Sequence, residues 1–168
     1  GASDAATEKF GIGMAAGYRS SDSGNVINSS TGVINVNGKN SIGMYATGPL
    51  STATNKGTIN LSGENSVGMY LDNGAYGINN GTILSNGTGL RRVVGMVVKN
   101  GSTIENNGII QIDATDAVGL LAKGNSAGKN VGIIKNYGTL NITGVGARDK
   151  VIPSEGQALG KDMGGVKI

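Results

Sequence analysis

The sequence predicts an all-β fold, a right-handed parallel β-helix of about five to six turns, each built from three short strands over roughly 24–27 residues. Three observations support this fold class. Two sequence signatures recur in step along the chain, apolar and polar residues alternate within each signature, and the composition disfavours helices. Glycine contributes 31 of the 168 residues and asparagine is also abundant. Both residue types prefer turns to helix interiors.

Two signatures define the repeating unit. One consists of an apolar residue, a glycine and a Met or Leu, seen most clearly in KNSIGMY at 39–45 and ENSVGMY at 64–70. The other occurs as TGVINV, KGTINL, NGTILS, NGIIQI and YGTLNI. A repeat of this length is typical of solenoids, so the two signatures in step indicate one structural unit repeated about five times.

Each signature predicts a strand with one apolar face. The TGVINV type gives the first strand of each unit, with these residues predicted to face the core: Ile34/Val36, Ile59/Leu61, Ile110/Ile112 and Leu140/Ile142. The IGMY type gives the second strand, with these residues predicted to face the core: Ile42/Met44/Ala46, Val67/Met69/Leu71, Val94/Met96/Val98 and Val118/Leu120/Ala122. A weaker third strand is predicted at 26–28, 77–79, 103–106 and 132–136.

Successive copies of each strand are expected to pair in parallel, one turn above the next, at a spacing of about 4.8 Å. The right-handed coil follows from the strong preference of parallel crossover connections for that hand. A column of asparagines precedes the first strand, at Asn55, Asn79, Asn106 and Asn136, with Ser30 in the first turn. Stacked asparagines can hydrogen-bond one another and the backbone, so this column is interpreted as scaffold rather than as a ligand site.

The repeat pattern divides the chain into three parts. Residues 1–10 are expected to form an N-terminal extension or cap, with residues 1–3 interpreted as a cloning remnant. Residues 11–143 carry the β-helix repeats, and residues 144–168 are expected to form an inserted loop and a C-terminal partial turn. The absence of an initiator methionine suggests an excised piece of a longer protein.

The composition argues against several classes of function. The net charge is +3, and the 14 Lys and Arg residues form no run, which is too mild for nucleic-acid binding. There is no Cys and no His, so a thiolate nucleophile and a Ser-His-Asp triad are excluded within this sequence. Neither an apolar stretch of about 18 residues nor a signal peptide is present. No cofactor and no metal site is predicted.

Places where the units differ in length are expected to be loops, and loops on rigid scaffolds often carry function. Such loops are predicted at 85–92, at 144–157, at 18–25 and at 123–130. They supply the cationic candidates for partner binding: Arg91, Arg92, Arg148, Lys150, Lys123 and Lys129.

An alternative interpretation applies to the arginine pair Arg91-Arg92. Aligned on the downstream glycines, Arg91 shares a column with Lys39 and Glu64. The alignment then predicts ion pairs of Lys39 with Glu64, of Glu64 with Arg91, and of Arg92 with Asp116. In that case the arginines belong to an exposed charge ladder of little energetic value rather than to a binding site.

Outward positions on the second strand form an apolar stripe, at Tyr45, Tyr70, Val97 and Leu121. Such a stripe can be covered by other parts of the protein or can contact a partner. Tyr45 and Tyr70 are therefore further candidates for partner binding.

The words NSIGMYA and NSVGMYL, alternating with NxGTINL-type strands, resemble the passenger-domain repeats of large fusobacterial type V autotransporter adhesins. The resemblance covers roughly residues 11–143. It implies a β-helical passenger exposed on the bacterial cell surface, with a signal peptide and an outer-membrane barrel outside this sequence. No binding residue carries over, because the shared motif is scaffold.

Three functions remain open at this stage. The first is an adhesin passenger, a virulence-type surface protein that binds a host-cell or bacterial surface protein or glycan without turning it over. The second is a carbohydrate-active β-helix, a polysaccharide lyase or hydrolase, for which Glu64 and Asp116 are weak candidates because they are about two turns apart. The third is a stalk or cap that only continues the β-helix of its own chain.

Overall fold

The computed structural model describes residues 11–17, 23–125 and 130–160, and within these ranges the regular structure consists of strands without a helix. In chain order the strands are β1 Ile12–Ala16, β2 Ser23–Asn28, β3 Val33–Val36, β4 Ile42–Thr47, β5 Leu50–Asn55, β6 Thr58–Leu61, β7 Val67–Asp72, β8 Tyr76–Asn79, β9 Thr82–Ser85, β10 Val94–Lys99, β11 Thr103–Asn106, β12 Ile109–Asp113, β13 Val118–Lys123, β14 Ile133–Asn136, β15 Thr139–Thr143, β16 Arg148–Val151 and β17 Gln157–Gly160. The predicted cap at residues 1–10 lies outside the described residues, as do residues 161–168.

The strands form three parallel sheets, one for each strand of the repeating unit. Sheet 1 has five strands, β3-β6-β9-β12-β15. Sheet 2 has six, β1-β4-β7-β10-β13-β16, and sheet 3 has six, β2-β5-β8-β11-β14-β17. Each strand therefore pairs with its copy one turn away, and the predicted parallel β-helix is confirmed as a solenoid of about five turns.

The core runs along the axis of the coil, where like residues stack on like. In sheet 2 the residues Met44, Met69, Met96 and Leu120 are in register and fully buried. Sheet 1 contributes Ile59, Ile83 and Ile110, which are also fully buried. Burial of side chains of this size stabilises the fold by about 1.5–3 kcal/mol each before the cost of ordering the chain.

The prediction for the first apolar residue of the second strand is wrong. Ile42 is only half-buried, whereas the next two residues, Gly43 and Met44, are both buried. A Cβ on Gly43 would lie 3.0 Å from the Ile59 side chain, so the glycine itself faces the core. The inward position is therefore taken by a residue with no side chain, and the residue before it lies on the outer face. The same half-buried position is occupied in the other turns by Val67, Val94 and Val118.

The third strands form sheet 3 as predicted at four positions, but β5 was missed and β2 is longer than expected. In β5 the buried residues are Ser51, Ala53 and Asn55, while Leu50 is 62% exposed. Because the buried side chains are small or polar, the sequence of β5 shows no apolar alternation.

The asparagine column is continuous, but its first member is Asn28 and not Ser30. Asn28 is in register with Asn55, and its Nδ2 donates to Asn55 Oδ1 at 2.9 Å. The turn at Ser29 is closed by a hydrogen bond from the Gly32 N–H to the Ser29 carbonyl, 2.9 Å long. This longer turn moves the asparagine two residues further from the glycine than in the other units.

The segment predicted as an inserted loop at 144–157 contains a strand. Residues Arg148–Val151 form β16, which pairs with β13. This strand was not predicted because Asp149 occupies the position at which the earlier turns have the signature glycine. The coil therefore continues through this region, and β17 adds the next strand of sheet 3.

Candidate partner-binding face

One corner of the coil, between sheets 1 and 2, carries the predicted charge ladder. Lys39 Nζ lies 3.2 Å from Glu64 Oε2, as predicted. The second cation on Glu64 is Arg92, at 3.2 Å, and not Arg91. Arg92 reaches back one strand to Glu64, and no ion pair of Arg92 with Asp116 occurs in the described part of the chain. The hydrogen bond from Lys39 and its positive charge, with a smaller contribution from Arg92, lower the pKa of Glu64.

The backbone confirms the alignment on which the ladder was predicted. Asn40, Asn65, Arg92 and Asp116 all have φ between 54° and 58°, the left-handed conformation, at the same position of four successive turns. Arg91 pairs with Thr115 in an isolated parallel bridge and is exposed. Arg92 is thus part of the scaffold corner, and Arg91 keeps the status of a candidate binding residue.

Of the four cations predicted on the loops at 123–130 and 144–157, one is buried, two are exposed and one lies outside the described residues. Lys150 is only 6% exposed and is in register with Leu120, at a core position, so its assignment as a partner-binding residue is wrong. Arg148 is exposed at the start of β16, in register with Val118. Lys129 lies outside the described residues.

The outer face of sheet 2 brings the two candidate tyrosines together. Tyr45 and Tyr70 are in register on β4 and β7, with ring centroids 5.9 Å apart and an interplanar angle of 36°. Both side chains are half-buried, and this burial is the main cause of the raised pKa of each phenol. In the rest of the predicted stripe, Leu121 is half-buried like the tyrosines, whereas Val97 is only 1% exposed.

A groove of about 700 Å³ lies on this face, within the range typical of ligand sites. We call it the tyrosine groove, and its lining residues are Ile12, Asn40, Ser41, Ile42, Tyr45, Asn65, Val67, Tyr70 and Lys123. Sequence reasoning placed Lys123 on a separate loop. The structure places it at the end of β13, two strands from Tyr70, where it lines the same groove.

The apolar floor of the groove was missed by sequence reasoning. Ile42 and Val67 were assigned to the core, but both are half-buried groove residues. The signal that could have revealed them is the glycine that follows each one, because an inward-facing glycine displaces its neighbour to the outer face.

The last residues of β10 and β13 are both lysines. Lys99 and Lys123 are in register on adjacent strands, and within the described ranges neither forms an ion pair. Asp72 lies on the same face beside Tyr70, whose pKa its charge helps to raise. The Asp72 carboxylate accepts hydrogen bonds from the Asn73 N–H and from Asn100 Nδ2, both at 2.8 Å.

A second cluster, on the outer face of sheet 3, was not predicted. The Tyr76 hydroxyl donates to Glu105 Oε1 at 3.0 Å and accepts from Lys135 Nζ at 3.3 Å. The ammonium also lies 5.5 Å from the centroid of the Tyr76 ring. These residues come from β8, β11 and β14, three adjacent strands of the sheet, so only the register of the coil brings them together. Glu105 Oε2 also accepts from Asn107 Nδ2 at 2.9 Å, and such linked side chains on neighbouring strands are typical of a structural cross-strand cluster.

The described residues contain no group of three or more His, Cys, Asp or Glu side chains able to hold a metal ion. They also include no helix long and apolar enough to cross a membrane.

The family model for the third pectate lyase-like domain of BigA matches residues 2–82, somewhat less than half of the chain. BigA is a bacterial surface adhesin of autotransporter-like type, so the match supports surface-adhesin repeats and a surface-exposed bacterial protein. No curated protein and no solved structure matches the chain. The matched stretch includes Tyr45 and Tyr70, and the fusobacterial type stays a prediction.

Proposed function

We propose that this chain is part of the passenger of a bacterial autotransporter adhesin, a β-helical rod that binds a partner on another cell through the tyrosine groove. In this proposal the protein binds its partner without chemical conversion. The passenger is displayed at the outer membrane, facing outward, after type V secretion.

The groove is the single observation that carries this proposal. Two half-buried tyrosines, three apolar residues and a lysine converge there from β1, β4, β7 and β13, on a scaffold whose inward positions are fully occupied by the core. Tyrosine is enriched at the centre of binding interfaces because its ring gives a large contact area at little cost in conformational entropy. A rod made of stacked sheets holds such a surface rigidly.

The proposal is tested by adhesion of the purified chain, coupled to fluorescent beads, to epithelial cells and to bacteria. We expect the double variant Tyr45→Ser/Tyr70→Ser to lower bead attachment at least tenfold, because it removes both rings from the groove. The matched control is Tyr137→Ser, since Tyr137 is 51% exposed and follows β14, away from the groove. Circular dichroism and thermal unfolding check that each variant is folded.

Two results would contradict the proposal. Attachment that is equal for the wild type and the double variant would place the binding surface elsewhere. An absence of attachment by the folded wild type to every cell type would favour the stalk or cap.

A carbohydrate-active enzyme is the second candidate, favoured by the pectate lyase-like description of the matching family. The two weak catalytic candidates, Glu64 and Asp116, lie on the charged corner. Glu64 forms ion pairs with Lys39 and Arg92, and Asp116 has the left-handed backbone conformation of the corner. Release of unsaturated or reducing ends from pectin-type polymers, abolished by Glu64→Gln or Asp116→Asn, would replace the adhesin proposal with this one.

A further inference from the structure

The tyrosine groove combines two half-buried tyrosine rings with hydrogen-bonding side chains. Tyr45 and Tyr70 follow one another along the coil axis, because their strands are adjacent and in register. Asn40 and Asn65 lie along the corner side of the groove, where Asn65 Nδ2 donates to Asn40 Oδ1. A ligand that matches this surface has flat apolar faces and many hydroxyl groups, which is the chemistry of an oligosaccharide.

The charge in the groove is concentrated at one end. Among the lining residues, Lys123 is the cationic side chain, and Lys99 lies directly opposite it on the neighbouring strand. Like charges opposite each other in a sheet are unfavourable, and an anion bound between them relieves the repulsion. The carboxylate of Asp72, held by two N–H donors, lies nearer Tyr70 and disfavours an anion at that point. A single anionic group therefore fits the Lys123 end.

We propose that the tyrosine groove binds a neutral oligosaccharide that ends in one acidic sugar. The carboxylate of the terminal sugar pairs with Lys123, and the neutral sugars pack against Tyr70 and Tyr45. This inference rests on the proposed function, because it names the ligand of the same surface. A polymer with a carboxylate on every sugar fits poorly, because it places charges against Ile42 and Val67, where they lose water without gaining a partner.

The test is isothermal titration calorimetry of the purified chain with three probes: 3′-sialyllactose, lactose and trigalacturonate. We expect binding of 3′-sialyllactose, with lactose and trigalacturonate at least tenfold weaker. Lys123→Gln is expected to weaken the affinity for 3′-sialyllactose about tenfold, which corresponds to the loss of one hydrogen bond to a charged group. The affinity for lactose is expected to stay unchanged. Lys56→Gln is the matched control, since Lys56 is exposed on another corner and its loss leaves binding unchanged.

Several results would overturn the inference. These are equal affinity for lactose and 3′-sialyllactose, tighter binding of trigalacturonate, or a folded Lys123→Gln variant with unchanged affinity. Tight binding of an acidic peptide such as hexaglutamate, competed by the tyrosine variants, would assign the groove to a protein partner instead. If the Tyr45→Ser/Tyr70→Ser variant loses cell attachment while no sugar probe binds, the adhesin proposal stands and the sugar assignment fails.

Discussion

Two corners of the same coil carry stacked polar side chains, which are buried at one corner and exposed at the other. The asparagine ladder, Asn28, Asn55, Asn79, Asn106 and Asn136, is buried, and the Nδ2 of each of the first four donates to the next Oδ1 at 2.9–3.0 Å. The charged corner is exposed, and its ion pairs of Glu64 with Lys39 and Arg92 are both 3.2 Å long. Similar distances at the two corners therefore correspond to different energies. A buried amide that loses its partner cannot turn to water, whereas an exposed charge can.

The largest expected effect is at the centre of the buried ladder. Asn79→Ala removes the amide that accepts from Asn55 and donates to Asn106, so the buried Asn106 Oδ1 loses this donor, whereas Asn55 Nδ2 keeps its backbone acceptors on Gly57 and Thr82. We expect the free energy of unfolding to fall by about 2–4 kcal/mol. Urea denaturation followed by circular dichroism measures this change.

Asn60→Ala is the matched control for the buried ladder. Asn60 also donates to an asparagine, Asn35, at 3.1 Å, but this pair is exposed on the outer face of sheet 1. A loss from Asn60→Ala as large as that from Asn79→Ala would show that burial is not the source of the difference.

An intermediate effect is expected for the cluster on sheet 3. Tyr76→Phe keeps the ring beside Lys135 but removes the hydroxyl that bonds both Glu105 and Lys135. We expect the free energy of unfolding to fall by about 1 kcal/mol, because the groups left behind are half-buried and can bind water. Urea denaturation measures it, and a change as large as that of Asn79→Ala would mean that the cluster is closed to water.

The smallest effect is expected at the charged corner, with Glu64→Gln. The pKa of Glu64 is lowered below its ordinary value of 4.5 in the folded protein, mainly by Lys39. Its stabilising contribution is therefore complete above pH 4.5 and is lost as the pH falls through the lowered folded value. We expect wild type and Glu64→Gln to differ slightly in urea midpoint at neutral pH and low salt, and to converge in acid or in high salt. A difference that persists in high salt would contradict a screened surface interaction.

The fold could be predicted from the sequence because the features that determine it are local and repeated. Met44, Met69 and Met96 recur at the same place in the signature, and their common register follows directly. Strand β5 was missed because its inward residues are small or polar, and β16 because Asp149 replaces the signature glycine.

The candidate site was predictable only in parts. Tyr45 and Tyr70 could be placed on the outer face from the alternation of their strands. Their association with Lys123 depends on where β13 ends and on the spacing between strands, which the sequence does not state. The outward position of Ile42 depends on an inward glycine, a departure from simple alternation that the recurring signature glycine could have indicated.

The asparagine ladder also selects the alignment of successive turns. A slip of two residues between β5 and β8 would keep every apolar side chain on its own face, so the core alone discriminates weakly against it. That slip would set the Asn79 amide opposite Ala53 instead of Asn55 and would leave buried donors and acceptors without partners. The ladder thus favours the native register of each turn, since a turn is fully stable only when its asparagine amide bonds to the asparagine amide of the turn before.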